Sequence, residues 1–102
     1  MTRDRLFLLD QEFGDAALPG RKFYCKNCMS IEGLLAAFPE RAANIDVTWV
    51  GFPRPRAEVV EHVGEENQIL PCLAFAEGGF VNSTKELLNA LHTRHGFPEP
   101  HP

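Results

Sequence analysis

The sequence lacks several features that would assign it to a familiar class of protein. It has three cysteines in 102 residues, an odd number and too few for a secreted disulfide scaffold. Its apolar stretch near the N-terminus, Leu6-Phe7-Leu8-Leu9, is too short for a signal-peptide core or a membrane span. With 10 basic and 14 acidic residues, it has no basic stripe for nucleic acid. These absences predict a cytoplasmic protein with neither a membrane nor a nucleic acid as partner.

The composition that is present fits one globular domain. The hydrophobic share of 44% argues against disorder, and 102 residues leave no room for a second domain. We therefore predict a single domain over residues 1–102, in which 96–102 form an irregular tail rich in proline. There is no internal repeat and no low-complexity segment.

The hydrophobic pattern predicts four strands and three helices. The strands are expected at 5–9, 46–50, 69–76 and 80–81. The first helix follows Cys28 and ends at Pro39, since Ile31, Leu34, Leu35 and Phe38 recur on one helical face. The second covers 57–63 and ends at Gly64, and the third begins after Ser83 as a capping residue and ends at Gly96. His92 and His95 fall in its last turn, where they would complement the helix dipole.

This order, β-α-β-α-β-β-α, predicts an α/β fold with a four-stranded mixed sheet flanked by three helices. Because the first three strands alternate with helices, we expect right-handed crossovers and parallel pairing between them. The Glu77-Gly78-Gly79 turn then adds an antiparallel strand. The segment 10–23 is long for a connection in a small domain, which indicates a functional loop. Trp49 and the phenylalanines are expected in the core, whereas Lys22, Lys26, Arg54 and Arg56 are expected to be solvated charges.

The motif that carries chemistry is Cys25-Lys26-Asn27-Cys28, at the junction between this loop and the first helix. Two intervening residues keep the sulfurs within about one helical turn, close enough to bridge. The unpaired N–H groups of a helix N-terminus favour the thiolate of Cys25, and Lys22 and Lys26 add positive charge. Cys28, one turn further on, should be more buried. The pattern therefore predicts Cys25 as the attacking nucleophile and Cys28 as the resolving thiol.

Tyr24-Cys25-Lys26-Asn27-Cys28 resembles the Tyr-Cys-Pro-Tyr-Cys motif of glutaredoxins, with Lys26 in place of proline and Asn27 in place of an aromatic residue. The segments Leu70-Pro71 and 77–83 also resemble that type of domain. Over residues 5–95 the chain is similar to the thioredoxin-like superfamily, and within it to an uncharacterised family of small bacterial thioredoxin-like proteins.

The resemblance implies a thioredoxin-like fold with a cis-proline at Pro71 facing the cysteines. The backbone of Leu70 would then be exposed and would pair with a peptide or with glutathione. Asn82 and Ser83 would bind a substrate carboxylate at the start of the last helix, and Tyr24 and Lys26 would flank the site. No metal or organic cofactor is implied, and glutathione is a candidate co-substrate.

Three hypotheses remain open at this point. The first is a small thiol–disulfide oxidoreductase that acts on protein or glutathione disulfides. The second is a non-catalytic module that keeps the fold and holds a ligand beside Pro71. The third is a zinc or iron–sulfur carrier that uses Cys25, Cys28 and Cys72, which the superfamily fold would bring near the pair, together with a fourth ligand. The oligomeric state is left open.

Overall fold

The computed structural model describes residues 3–102. In chain order the elements are β1 (Arg5–Leu9), α1 (Lys26–Ala37), α2 (Pro39–Ala42), β2 (Asp46–Val50), α3 (Ala57–Val63), β3 (Cys72–Ala74), β4 (Phe80–Val81) and α4 (Thr84–His95). Within residues 3–102, none of these helices combines the length and the apolar character needed to cross a membrane.

The four strands form one mixed sheet in the order β2-β1-β3-β4. β1 and β2 are parallel, with Leu9 opposite Val50 at their carboxyl ends. β3 runs antiparallel to β1, with Cys72 opposite Phe7, and β4 runs antiparallel to β3. The predicted class, α/β with a four-stranded mixed sheet, is confirmed, and this arrangement is consistent with a thioredoxin-like fold.

The prediction that the first three strands are all parallel is wrong, because β3 is antiparallel to β1. A parallel crossover must carry the chain back to the edge at which the first strand began. The connection between β2 and β3, residues 51–71, does not make this return. The chain leaves α3 at Gly64 and enters β3 from the edge at which β1 and β2 end. The loops that surround the cysteines therefore lie at this end of the sheet, where β1 and β2 end and β3 begins.

Two element boundaries also differ from the prediction. A fourth, four-residue helix, α2, follows α1 directly, and Pro39 occupies its first turn, where a missing N–H costs nothing. The third strand covers Cys72–Ala74 instead of 69–76. Its first expected residues include Pro71, which has no N–H to contribute to a strand ladder.

The core lies against β1, which is covered on both faces as its continuous apolar run predicts. Leu6, Phe7 and Leu8 are fully buried. Trp49 was expected in the core, but it lies on the edge strand β2 and is 46% exposed. The tail is irregular as predicted, yet Phe97 within it is fully buried and packs edge-on against the ring of Phe38, with ring centroids 6.2 Å apart.

Candidate functional site

Cys25 is the N-cap of α1 and directly precedes Lys26, the first residue of the helix. It takes an extended conformation as the N-cap, and its Sγ accepts a hydrogen bond from the backbone N–H of Cys28 at 3.2 Å. This is the contact that a serine or aspartate cap makes, here made by a sulfur. The positive end of the helix and one of its free N–H groups are thus directed at Cys25, an arrangement that favours the thiolate.

Cys28 lies three residues after Cys25, in the first turn of α1, and is 1% exposed. Its Sγ accepts the backbone N–H of Leu9, at the end of β1, over 3.5 Å. Burial, and secondarily the hydrogen bond with Cys25, raise the pKa of the Cys28 thiol to about 12 from an ordinary value of 9.0. Cys25 is only half-buried. The two sulfurs are therefore unequal: one is accessible at a helix N-terminus and the other is enclosed and protonated.

The Leu70–Pro71 segment leads into β3 at the sheet edge where β1 ends. The Leu70–Pro71 peptide is cis, as the resemblance implies, and the Arg54–Pro55 peptide is cis as well. Pro71 is fully buried and Leu70 is 7% exposed, so the backbone of Leu70 is less accessible than expected. Ile69, 56% exposed, is the residue that this segment offers at the surface.

Asn82 and Ser83 follow β4 and lie at the same end of the sheet as the Leu70–Pro71 segment. β4 runs antiparallel to β3 with Val81 opposite Leu73, so the chain leaves β4 beside the start of β3. Ser83 caps α4 as predicted, because its Oγ accepts the backbone N–H of Glu86 at 3.2 Å. Asn82 is half-buried and Ser83 is exposed. The topology thus places both residues at the edge that holds the cysteines, without a direct hydrogen bond to either thiol in the described part of the chain.

Tyr24 and Lys26 flank Cys25 on the surface. Tyr24 is 64% exposed, and Lys26, the first residue of α1, is also exposed. Tyr24 also lines a surface cleft of about 180 Å³, together with Gln11, Glu12, Lys22 and Phe23. The approach to Cys25 therefore combines an aromatic side chain with the charges of two lysines.

The long loop 10–23 is organised by a pair of phenylalanines. The backbones of Phe13 and Phe23 exchange two hydrogen bonds, of 3.0 and 2.8 Å, which close the loop as a hairpin. The ring of Phe13 stacks on that of Phe52, in the turn after β2, with centroids 4.8 Å apart. The length of the segment predicted a functional loop but gave no sign of this pairing, which requires two residues ten positions apart to be matched.

Arg56 differs most from its expected place. It was expected to be a solvated charge, but it is 5% exposed. Its Nε and Nη2 donate to the carbonyl oxygen of Phe52 at 3.1 and 2.7 Å, and its Nη1 donates to the carbonyl oxygen of Gln68 at 2.6 Å. The Gln68 side chain also accepts the backbone N–H of Arg56 at 2.7 Å. Arg56 therefore ties the turn after β2 to the segment that leads into Leu70–Pro71.

Comparison with known proteins gives one family. A family model described as "Protein of unknown function (DUF3088)" matches residues 3–99. The chain belongs to this family. The match covers every strand and helix of the fold and both cysteines of the motif. No curated protein and no solved structure matched the chain.

Cys72, the third cysteine, lies on β3 and outside the Cys25–Cys28 motif. It is fully buried on β3, and burial raises the pKa of its thiol to about 11. Among residues 3–102, no group of three or more His, Cys, Asp or Glu side chains has an arrangement that could hold a metal ion. Within the described residues, Cys25, Cys28 and Cys72 therefore do not form such a group.

A second polar cluster, which the sequence did not indicate, lies at the opposite end of β1. Asp4 is 4% exposed and accepts hydrogen bonds from Arg94 at 2.7 and 2.8 Å, from the Ala76 backbone at 2.9 Å and from His95 at 2.7 Å. Arg94 also pairs with Glu77. The Arg94 hydrogen bond holds the pKa of Asp4 far below its ordinary value. His95 therefore binds a buried carboxylate, in addition to lying at the helix end as predicted.

Proposed function

We propose that this protein is a small thiol–disulfide oxidoreductase, in which Cys25 attacks a substrate disulfide and Cys28 resolves the adduct. The observation that carries the proposal is the division between the two sulfurs. Cys25 accepts a helix N-terminal N–H while it remains half-exposed, and Cys28 is enclosed beneath it. A structural pair would not need this asymmetry, whereas a two-step exchange reaction does.

The first step is attack by the Cys25 thiolate on one sulfur of a disulfide R–S–S–R′. A bond forms between Cys25 Sγ and the R sulfur, the S–S bond of the substrate breaks, and R′ leaves as a thiolate. The N–H of Cys28 stabilises the attacking charge on Cys25. Because Cys25 is the accessible sulfur, the substrate needs no opening of the core to reach it.

The second step is attack by Cys28 on the Cys25 sulfur of the mixed disulfide. Cys28 gives its proton to the released thiolate, the Cys25–Cys28 disulfide forms, and R leaves as a thiolate that is protonated by solvent. Two of the effects that raise the pKa of Cys28, after burial, are the hydrogen bond with Cys25 and the charge of Cys25. Both end when Cys25 enters the mixed disulfide, so Cys28 becomes a better nucleophile at the moment when it is needed.

The substrate class follows from what surrounds Cys25. The exposed side chains of Tyr24 and Ile69 would contact apolar residues next to a disulfide in a peptide or protein. Lys22 and Lys26 would favour a substrate that carries negative charge, and Asn82 and Ser83 lie at a helix N-terminus that suits a carboxylate. Glutathione fits this description, and two molecules of it, on oxidation to glutathione disulfide, would supply the two electrons that regenerate the reduced pair. The expected compartment is the reducing cytoplasm, where such a pair would be kept in its dithiol form.

The test is to trap the mixed disulfide. The Cys28→Ser variant, incubated with oxidised glutathione and analysed by intact mass, is expected to carry one glutathione on Cys25. The matched variant, Cys25→Ser, should carry none, because Cys28 is enclosed. A Cys28→Ser protein that stays unmodified, or equal adducts in the two variants, would contradict the proposal. Such a result would favour a binding module that keeps the fold without the chemistry.

A further inference from the structure

The molecule buries one positive charge that has no carboxylate to balance it. Arg56 is 5% exposed, and in the part of the chain that the structure describes it forms no ion pair with an aspartate or glutamate. Its contacts are the carbonyl oxygens of Phe52 and Gln68. They engage three of the five N–H bonds of a guanidinium and leave two free. An enclosed charge of this kind is costly unless an anion compensates for it.

The hydrogen bonds around Arg56 place it at the end of the sheet that also holds the cysteine pair. Asp10, directly after β1, donates its N–H to the carbonyl oxygen of Val50, the last residue of β2, so the segments that follow the two strands start side by side. Arg56 lies in the second of these segments. It is tied to Gln68, and the chain runs from Gln68 through Leu70–Pro71 into β3 beside β1. The end of β1 in turn donates a hydrogen bond to Cys28.

The ionisable groups at this end of the sheet affect one another's pKa values. Burial, and then the neighbouring Arg54, lower the pKa of Arg56, and the thiols of Cys28 and Cys25 oppose that lowering. On α1, the charge of Glu32 raises the pKa of Cys28. Of the acidic groups at this end of the sheet, Asp10 is exposed to solvent, and Cys28 and Cys25 are the thiols whose charge acts on Arg56.

We propose that Arg56 is a positioning residue of the cysteine pair, whose enclosed positive charge stabilises the thiolate with which Cys25 attacks. This inference rests on the proposed function for its purpose, but the charge interaction itself does not require turnover. A guanidinium keeps its charge at every physiological pH, so it remains a constant partner for a thiolate when the site is free of substrate.

Loop 10–23 packs against Phe52, the residue that contacts the Arg56 guanidinium. The Arg56 guanidinium lies 5.6 Å from the centroid of the Phe52 ring, and the ring of Phe13 stacks on that of Phe52 with centroids 4.8 Å apart. The hairpin of loop 10–23 therefore covers the residue that holds Arg56. By excluding water it keeps the effective dielectric constant low, and a low dielectric constant strengthens the action of the charge on a nearby thiolate.

The experiment is the pH profile of Cys25 alkylation by iodoacetamide in the reduced protein. Trypsin cleaves after Lys22 and Lys26, so Cys25 is recovered in the peptide 23–26 and Cys28 in a separate one. In Arg56→Gln we expect the midpoint of Cys25 alkylation to rise by about one pH unit, the shift typical of removing a nearby opposite charge. Arg56→Lys should retain most of the wild-type profile, because it keeps the charge.

The matched control is Arg54→Gln, which removes the same charge from an exposed neighbour in the same turn. We expect a smaller shift there, because solvent screens an exposed charge. A folded Arg56→Gln protein with the wild-type midpoint, or an equal shift in Arg54→Gln, would overturn the inference. If Arg56→Gln does not fold, Arg56→Lys decides: a folded lysine variant whose midpoint rises by a full unit overturns it, and one with the wild-type midpoint supports it.

The two proposals fail separately. Loss of the glutathione adduct in the trapping experiment would refute the oxidoreductase function even if Arg56→Gln shifts the alkylation profile. An unshifted profile in a protein that still forms the adduct would refute the role of Arg56 alone.

Discussion

Replacing Cys25 with serine is expected to lower the rate of disulfide reduction by roughly a thousand-fold or more, the scale seen when an enzyme loses its nucleophile. The serine hydroxyl still caps α1, so the fold should survive the change. The loss comes from the chemistry, because an alcohol is not ionised at neutral pH and does not attack sulfur as a thiolate does. The measurement is a single-turnover reaction between the pre-reduced protein and a peptide disulfide, quenched with acid and quantified by mass spectrometry.

The matched control is Cys72→Ala, which removes the third thiol from the buried strand β3. Its single-turnover rate should be close to that of wild type, since Cys72 takes no part in the exchange. Cys28→Ser should react in the first step and stop at the mixed disulfide. If Cys25→Ser reduces the peptide as fast as Cys72→Ala, Cys25 is not the nucleophile.

Replacing Asp4 with asparagine is expected to lower the free energy of unfolding at pH 7 by about 3–5 kcal/mol, the usual cost of breaking a buried ion pair. Asp4 accepts hydrogen bonds from Arg94, His95 and the Ala76 backbone, and so joins the start of β1 to the end of α4. An asparagine has one acceptor oxygen and no charge to offer in their place. Urea unfolding monitored by circular dichroism measures the change.

The pH dependence of this effect has a definite sign. The pKa of Asp4 is lowered in the folded protein from an ordinary value of 3.8, chiefly by the Arg94 hydrogen bond. A lowered pKa contributes stability that is fully present above pH 3.8 and is lost as the pH falls toward the folded-state pKa. The difference between wild type and Asp4→Asn should therefore be constant from neutral pH to about pH 5 and should shrink below pH 4.

Asp46→Asn is the matched control for this stability measurement. Its carboxylate pairs with Arg3 and Arg5, but 42% of its side chain is exposed. An exposed pair of this kind contributes at most about 1 kcal/mol. If Asp4→Asn costs no more than Asp46→Asn, or if its cost does not change in acid, the buried cluster does not hold the two ends of the domain together.

The features that could be predicted from the sequence are determined by residues that lie close together in the chain. The apolar run of Leu6 to Leu9 specifies a strand buried on both faces, and Ser83 and Gly96 mark the ends of α4. The Cys25–Cys28 spacing at a loop-to-helix junction likewise specified which of the two cysteines would be the more buried. In each case the decisive interaction is local, so reading the sequence was enough.

The features that were missed depend on distances through space. The direction of β3 depends on the end of the sheet to which the connection of residues 51–71 returns the chain. The burial of Arg56 depends on carbonyl groups four and twelve positions away, and Asp4 meets Arg94 across 90 positions. Charged residues are solvated in most proteins, which is why Arg56 was expected at the surface. The exposure of Trp49 has the same origin, since a strand sequence does not reveal that its strand will be an edge.

The central claim is that Cys25 and Cys28 cycle between dithiol and disulfide, and a redox titration of the wild-type protein tests it most directly. The protein is equilibrated in a series of reduced and oxidised glutathione buffers, the free thiols are alkylated, and the intact mass is recorded. The account predicts that a species lacking two hydrogens appears as the buffer becomes more oxidising, disappears when the series is reversed, and maps to a Cys25–Cys28 disulfide. Three thiols that remain reduced in every buffer, or a disulfide that maps to Cys72, would contradict it.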